Sequence, residues 1–129
     1  MTTTLVETTH SVNESRLVTT IVTAFAADPA VRWMYPDAQQ YRAHFRDFVH
    51  GFGGKAFECG TADEVSGIGS AALWLLPEVQ PDEAAIVGGL QRSVSEERLP
   101  EVFELFEQMR AYTPDEPHWY LPLIGVDPG

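Results

Sequence analysis

The sequence is poor in residues that mark several protein classes. Its 129 residues include one cysteine, Cys59, so an intramolecular disulfide framework is excluded. Lysine and arginine number 8 against 19 aspartates and glutamates, which gives a net charge of -11 at pH 7. Nucleic acids and anionic membranes both require a basic surface. We therefore expect neither as a partner.

Long hydrophobic runs are also absent. The longest, Ala71 to Pro77, is far shorter than the about 20 residues of a membrane-spanning helix. The sequence begins without the basic segment and apolar stretch of a secretory signal, which leads us to expect a cytoplasmic protein. Cysteine, histidine and acidic residues nowhere show zinc-site spacing, so no metal is expected.

The remaining composition is that of a globular domain. Hydrophobic residues make up 44% of the chain and charged residues 21%, which is sufficient to build one core. The sequence contains no repeat, low-complexity tract or linker. Residues 1–129 are therefore expected to belong to a single domain.

The first half of the chain predicts one strand and two helices. Thr2 to Glu7 is rich in β-branched residues, as in a strand. The capping-box spacing of Ser11 and Glu14 predicts the start of a helix that ends at Asp28-Pro29. A second helix ends at Gly53-Gly54. Its apolar face is mostly aromatic and comprises Tyr41, Phe45, Phe48, Val49 and Phe52.

The second half combines strands with helices. Phe57 to Thr61 and Ile68 to Leu76 have β-type composition, and the polar segment between them predicts an antiparallel hairpin. Asp82 to Leu90 predicts a weak helix with a break at Gly88-Gly89.

A better-spaced helix is predicted from Leu99 to Met109, and Leu121 to Val126 predicts a final strand. The order of all these elements indicates an α+β fold.

Three segments, taken in order, carry a resemblance to a known family. They are Phe25 to Pro36, with its Asp-Pro and Arg-Trp-Met-Tyr-Pro elements, Gly69 to Pro77, and Leu121 to Pro128 (LPLIGVDP). Together they resemble the N-terminal half of the GNAT superfamily of acyl-CoA N-acyltransferases. The resemblance implies an antiparallel sheet of three or four strands flanked by helices, with an inserted helical pair before the last strand.

The resemblance also implies an activity, the transfer of an acyl group from acetyl-CoA to a small-molecule amine. In the family, a glycine-rich loop after the final strand holds the CoA pyrophosphate at a helix N-terminus. That loop is absent from these 129 residues, so we expect the chain to be inactive alone. The alternative function is a non-catalytic binding or self-assembly module derived from the same fold.

By position, the resemblance assigns Ile124, Gly125 and Val126 to the cofactor. In the family this strand pairs with the pantetheine arm, and an amide at a bulge polarises the thioester carbonyl. Glycine suits a bulge or a close ligand approach. The alternative is a plain core strand in which Gly125 begins the turn.

The attacking amine must lose a proton, which requires a general base. Candidates are Glu58 on the expected second strand, and His118 or Glu116 before the last strand, while Tyr120 is a candidate donor to the leaving group. For each residue taken singly, a solvated or otherwise satisfied polar role is the more ordinary interpretation.

The acceptor side of the site is expected to be aromatic. The resemblance places Trp33 and Tyr35 in a loop that walls the amine pocket, and Trp74 suits a partly apolar substrate. Aromatic residues are more often core residues, and that alternative stays open for these three.

The final strand also predicts self-association. The family places a further strand beside it, so Leu121 to Val126 is expected to leave one edge unpaired. Pro122 removes one donor, and no Lys or Arg lies between Ala111 and Gly129 to oppose pairing. We therefore expect a homodimer or other self-association through this strand.

Overall fold

The computed structural model describes residues 6–8, 13–65 and 69–129, with the backbone alone at 6–8. Four strands are present in these ranges: β1 Val6–Thr8, β2 Ala62–Val65, β3 Ser70–Leu75 and β4 Tyr120–Val126. Six helices accompany them: α1 Glu14–Ala24, α2 Pro29–Met34, α3 Ala38–Gly53, α4 Lys55–Cys59, α5 Glu83–Ser93 and α6 Leu99–Arg110. The predicted α+β class is confirmed. None of the helices in the described ranges is long and apolar enough to cross a bilayer.

The strands form one antiparallel sheet in the order β1-β2-β3-β4. Between β3 and β4, Leu73 lies opposite Leu123 and Leu75 lies opposite Tyr120. Over that interval β4 advances one residue more than β3, so β4 carries a bulge at Leu121 and Pro122. Proline has no backbone N–H, and a bulge is a position where a strand tolerates it.

Helices cover one face of the sheet. Along β3, Ala71, Leu73 and Leu75 are buried, whereas the residues between them are half-buried. Helices α1, α3 and α4 pack on the buried side, and α5 packs against α3. Because side chains alternate along a strand, Trp74 belongs to the opposite face.

Side-chain caps start most of the helices. Asn13 accepts the backbone N–H of Arg16 at the start of α1, and aspartates at 28, 37 and 82 cap α2, α3 and α5. The predicted cap at Ser11 is wrong, because the helix begins at Glu14 with Asn13 as its N-cap; Ser11 itself lies outside the described residues. The predicted first strand overlaps β1 at 6–7, and its earlier residues are likewise outside the described ranges.

The predicted strand from Phe57 to Thr61 is wrong. Lys55–Cys59 forms α4, which buries Ala56 and ends at Gly60 in the left-handed conformation. The strand that pairs with β3 is Ala62–Val65, part of the segment interpreted as the hairpin turn. A segment of five residues is too short for its pattern to distinguish a helical turn from a strand.

Two further helix predictions are resolved by packing. The helix predicted from Leu99 to Met109 is confirmed by α6. The break predicted at Gly88-Gly89 is wrong, because α5 continues through both glycines to Ser93. Contact with α3 holds α5 together despite their low helix propensity.

Candidate functional site

The outer edge of β4 is the main unpaired feature of the sheet. β4 is the last strand in the order, and nothing in the described ranges pairs with its outer side. Residues 119–126 carry no charged side chain. Ile124 and Val126 are 58% and 55% exposed. The edge therefore offers backbone donors and acceptors in an uncharged, apolar setting.

The bulge is not at the position that the sequence indicated. Gly125 pairs regularly with Ala71, and the irregularity lies at Leu121 and Pro122. A Cβ on Gly125 would lie 2.8 Å from the Ala24 Cβ of α1. The missing side chain of Gly125 therefore allows α1 to pack closely on the sheet. This corrects the expectation that Gly125 lies at a bulge.

A row of aromatic rings lies beneath β4. We define the aromatic row as Phe25, Phe45, Phe48, Phe52 and Tyr120. Successive ring centroids are 6.0, 5.6, 5.3 and 6.0 Å apart. One end lies beside Gly125, where Phe25 Cε2 is 3.7 Å from the position of a Cβ, and the other end is Tyr120 of the same strand.

The aromatic row is buried at its centre and accessible at its ends. Phe45 and Phe48 are buried, whereas Phe25, Phe52 and Tyr120 are half-buried. Phe106 of α6 adds a half-buried ring 6.1 Å from Phe48. Below the bulge, the edge of the sheet therefore has an aromatic floor that a partly apolar ligand can contact.

His118 precedes β4 and is half-buried. Its Nδ1 lies 2.9 Å from the Glu116 carbonyl oxygen. Because a carbonyl only accepts, Nδ1 carries the proton and donates it to this bond. In the neutral ring, Nε2 then has a free lone pair and can accept a proton.

Tyr120 is the first residue of β4. Burial raises the pKa of its hydroxyl above the ordinary value, so the group remains protonated at neutral pH. Its ring meets Phe52 edge-on. Tyr120 is thus a hydroxyl donor at the border between the aromatic row and the bulge.

The predicted cofactor and catalytic residues lie at separate points of the strand. Ile124 and Val126 are roughly 13 and 20 Å from Tyr120, at about 3.3 Å per residue. Groups so far apart cannot act on one reacting atom. His118, Tyr120 and the bulge lie together, whereas Ile124, Gly125 and Val126 lie further along the strand.

Two of the predicted site residues lie away from this region. Glu58 is exposed on α4 and not on a strand, which corrects the expectation that it faces a cleft from the sheet. Trp74 is on the sheet face opposite the helices, where its carbonyl accepts from the Thr61 hydroxyl at 2.5 Å.

Trp33 and Tyr35 are not in a loop, because α2 spans Pro29–Met34 and Tyr35 is its C-cap. Tyr35 is 2% exposed, and its hydroxyl is 2.7 Å from Ser93 Oγ. The Trp33 carbonyl accepts from Arg98, whose guanidinium also lies 5.4 Å from the Trp33 ring. These two residues join the helices, whereas Trp74 lies on the opposite face of the sheet.

Arg32 fixes the course of the chain between α1 and α3. Its guanidinium donates to the carbonyls of Ala26, Tyr35 and Pro36, at 3.1, 3.1 and 2.9 Å. It also lies 5.8 Å from the Tyr41 ring. These hydrogen bonds tie the segment that follows Phe25 to the C-terminal end of α2.

Sequence reasoning named Phe52 and Pro122 but missed their place at this site. Pro122 was a usable signal, since proline inside a strand indicates a bulge. Phe52 recurs at helical spacing, which predicts burial but gives no sign that its ring lies 6.0 Å from that of Tyr120.

A crevice between α3 and α5 lies away from β4. It is lined by Tyr35, His44, Asp47, Ile86 and Arg92, among others. Burial raises the pKa of the Tyr35 hydroxyl, and the nearby Asp47 carboxylate acts in the same direction. The crevice is narrow, and the packing of α3 on α5 accounts for it.

No group of three or more metal-ligating side chains is found among the described residues. Comparison with known proteins leaves the chain without a family assignment. No protein-family model matches it, and no curated protein matches its sequence significantly.

Proposed function

We propose that this chain forms the acceptor side and the pantetheine-pairing strand of a GNAT-like acyl-CoA N-acyltransferase. The observation that carries the proposal is the bulged, unpaired edge of β4 above the aromatic row, with His118 and Tyr120 at the bulge. The order of helices and antiparallel strands is consistent with the family resemblance of the sequence. The resemblance assigns acetyl-CoA as co-substrate.

Pantetheine suits the β4 edge because its extended arm contains two amide groups. Backbone N–H and C=O groups of an unpaired strand recognise such a chain as they recognise another strand. Leu123 to Val126 is a regular stretch of β4 that can serve in this way. In this proposal the cofactor lies along Ile124, Gly125 and Val126. It bonds to the backbone groups that face the outer edge, which come from alternate residues of the strand.

The bulge is the proposed reacting centre. The amides of Leu121 and Leu123 flank Pro122, which has none, and a bulge turns amides away from the regular ladder. An amide aimed at the thioester oxygen stabilises the negative charge that develops there during attack. This assignment places the polarising amide near His118 and Tyr120, and not at Gly125.

The chemistry is an acyl transfer. The amine nitrogen attacks the thioester carbon, the new C–N bond forms and the C–S bond breaks. His118 Nε2 takes the proton that the nitrogen loses. The Tyr120 hydroxyl donates a proton to the departing thiolate, for which its raised pKa keeps it in the protonated form.

The acceptor is proposed to be an amine with an apolar body. Phe52 and Tyr120 are half-buried rings near the bulge, and the half-buried Phe106 lies 6.1 Å from Phe48 in the aromatic row. Aromatic faces also attract a cationic ammonium group. No cationic side chain lies at 119–126 to repel it.

Charge predicts weak retention of CoA. The net charge of -11 repels a polyanion, and residues 119–126 offer no cationic side chain to its phosphates.

The test compares acetyl-CoA with S-acetylpantetheine, which lacks the nucleotide and the pyrophosphate. Backbone amide NMR titration is expected to give millimolar dissociation constants, about -4 kcal/mol, for both ligands, with shifts confined to Tyr120–Val126 and the aromatic row. A low-micromolar constant for acetyl-CoA, or binding tenfold tighter than that of S-acetylpantetheine, would contradict the expected repulsion of the nucleotide phosphates by this acidic chain. Shifts confined to other elements would overturn the assignment of β4.

A further inference from the structure

We propose that the C-terminal end of α6, residues 106–110, is a movable cover over the aromatic row. In the free chain the Phe106 ring occupies the place that an aromatic ring of the acceptor amine takes on binding. The movement follows from how α6 is held, whereas the identity of the displacing amine rests on the proposed function.

Helix α6 is thinly packed for its length. Of its twelve residues, Val102 alone is buried, whereas α3 buries six of its sixteen. Within the described ranges, α6 touches the other helices and strands at isolated points, whereas α3 and α5 pack closely together. A segment with little buried apolar contact can open locally while the rest of the fold stays closed.

The firm anchors of α6 lie at its N-terminal end. Arg98, the N-cap residue, donates from its guanidinium to the Trp33 carbonyl oxygen at 2.9 Å. The same guanidinium lies 5.4 Å from the centre of the Trp33 ring. Val102 is completely buried. These contacts fix the N-terminal end of α6 to α2 and to the core, so this end can act as a pivot.

The C-terminal end of α6 is held by contacts that water can reach. Phe106 is half-buried, and Met109 is 45% exposed. Arg110 donates to Glu83 of α5 at 2.9 Å, but the two side chains are 65% and 72% exposed, and such an ion pair adds little to stability. Residues 111–117, which follow, are all exposed and form neither helix nor strand. This end can therefore swing outward about the pivot.

Phe106 covers the middle of the aromatic row. Its ring centroid is 6.1 Å from that of Phe48, and the two ring planes are inclined by 30°. Phe48 lies 5.3 Å from Phe52, which in turn lies 6.0 Å from Tyr120 at the bulge. Outward movement of Phe106 therefore uncovers aromatic faces that lead to the proposed reacting centre.

The uncovered surface favours an amine that carries one aromatic ring. A ligand ring can make the ring-to-ring contact with Phe48 that Phe106 gives up, so little is lost in the exchange. The ammonium group of the same ligand is attracted by aromatic faces and by the net charge of -11. A simple probe with this chemistry is 2-phenylethylamine.

The first experiment is an NMR titration of wild type and Phe106→Ala with 2-phenylethylamine. Without its own ring in the way, Phe106→Ala is expected to bind about fivefold tighter, with shifts at Phe48, Phe52 and Tyr120. Phe103→Ala is the matched control, because Phe103 is a half-buried ring of α6 outside the aromatic row, and its affinity should equal that of wild type. Unchanged or weaker binding by Phe106→Ala would overturn the inference.

The second experiment loosens the cover without touching the aromatic row. Glu83→Gln removes the ion pair to Arg110, so the ligand is expected to bind about two- to threefold tighter and the amides of 107–110 to exchange faster than in wild type. Glu104→Gln is the control, since it removes the same charge from a residue whose hydrogen-bond partner, Gln108, is in α6 itself. Equal effects of the two substitutions would contradict a cover held by Glu83.

Benzyl alcohol separates this inference from the proposed function, because it has the ring without the amine. The cover predicts that Phe106→Ala binds both ligands more tightly, whereas the proposed function predicts that only the amine shifts the His118 resonances. If both ligands gain affinity and neither shifts His118, the cover stands and the acyltransfer assignment fails. If the amine shifts His118 but binds wild type and Phe106→Ala equally, the assignment is supported and the cover is refuted.

Discussion

Replacing Gly125 with alanine tests whether this glycine serves packing or ligand approach. The added Cβ would lie 2.8 Å from the Ala24 Cβ, whereas carbon atoms in contact are normally about 3.5 to 4.0 Å apart. Helix α1 would have to move by about 1 Å, together with Ile21, whose Cα lies 4.0 Å from the same position.

The expected magnitude follows from two opposing effects. Overpacking in a well-packed core costs about 1–3 kcal/mol. Replacing glycine by alanine within a strand recovers about 0.5–1 kcal/mol of conformational entropy. The net expectation for Gly125→Ala is a loss of about 1–2 kcal/mol, or a fall in Tm of roughly 5 °C, because 1 kcal/mol corresponds to about 3–5 °C at this chain length.

The assay is thermal and urea unfolding followed by circular dichroism, arranged as a double-mutant cycle with Ala24→Gly. Removal of the Ala24 methyl relieves the contact, so the double variant is expected to be more stable than the two single losses predict. Gly89→Ala is the control, since nothing lies within 4 Å of its Cβ position in α5, and it should stabilise the chain by up to about 1 kcal/mol.

Two results would refute the packing explanation. One is an unchanged or higher Tm for Gly125→Ala when Gly89→Ala behaves as expected. The other is additivity between the substitutions at 24 and 125. Loss of S-acetylpantetheine binding without loss of stability would restore the ligand-facing role indicated by the sequence.

Two predictions concern pH. Burial, the largest cause, raises the pKa of Tyr41 to about 12, so its contribution to stability is present below about pH 10 and is lost as pH rises through 12. In Tyr41→Phe, the free energy of unfolding should therefore fall less at alkaline pH than in wild type, by up to about 2 kcal/mol. A difference in stability between wild type and variant that stays constant from pH 9 to pH 12 would contradict this. Burial also raises the pKa of Asp63, so the folded state favours the protonated carboxyl group. The contribution of Asp63 to stability is therefore lost as pH rises through its pKa in the folded state. Asp63→Asn should therefore gain stability relative to wild type between pH 3 and pH 7 in urea titrations, whereas a relative loss would show that the Asp63 carboxylate is stabilised on folding.

Local chemistry in the sequence was sufficient for several elements. The aromatic spacing of residues 41–52 predicted α3, and the β-type composition of Ile68 to Leu76 and the apolar run of Leu121 to Val126 predicted β3 and β4. These segments are long or strongly periodic, so local pattern and final environment agree. The acidic balance and the uncharged final strand are likewise properties of the sequence itself.

Tertiary structure decided the elements with weaker local signals. Phe57 to Thr61 was predicted as a strand, but Lys55–Cys59 continues from α3 as a short helix. The polar Ala62–Val65 becomes a strand because β3 offers it a partner. Such short segments take the conformation that satisfies their backbone in context.

The candidate site depended most on tertiary structure. His118 and Tyr120 were candidates from the sequence. The bulge at Leu121 and Pro122 follows from the register with β3. Gly125 is explained by its contact with α1, which is about a hundred residues away in the chain. Trp33 and Tyr35 pack within the helical layer, while Trp74 lies across the sheet. Sequence determines which side chains are available and which faces are apolar. Only long-range packing determines which of them meet, because pairing register and close helix approach depend on residues far apart in the chain.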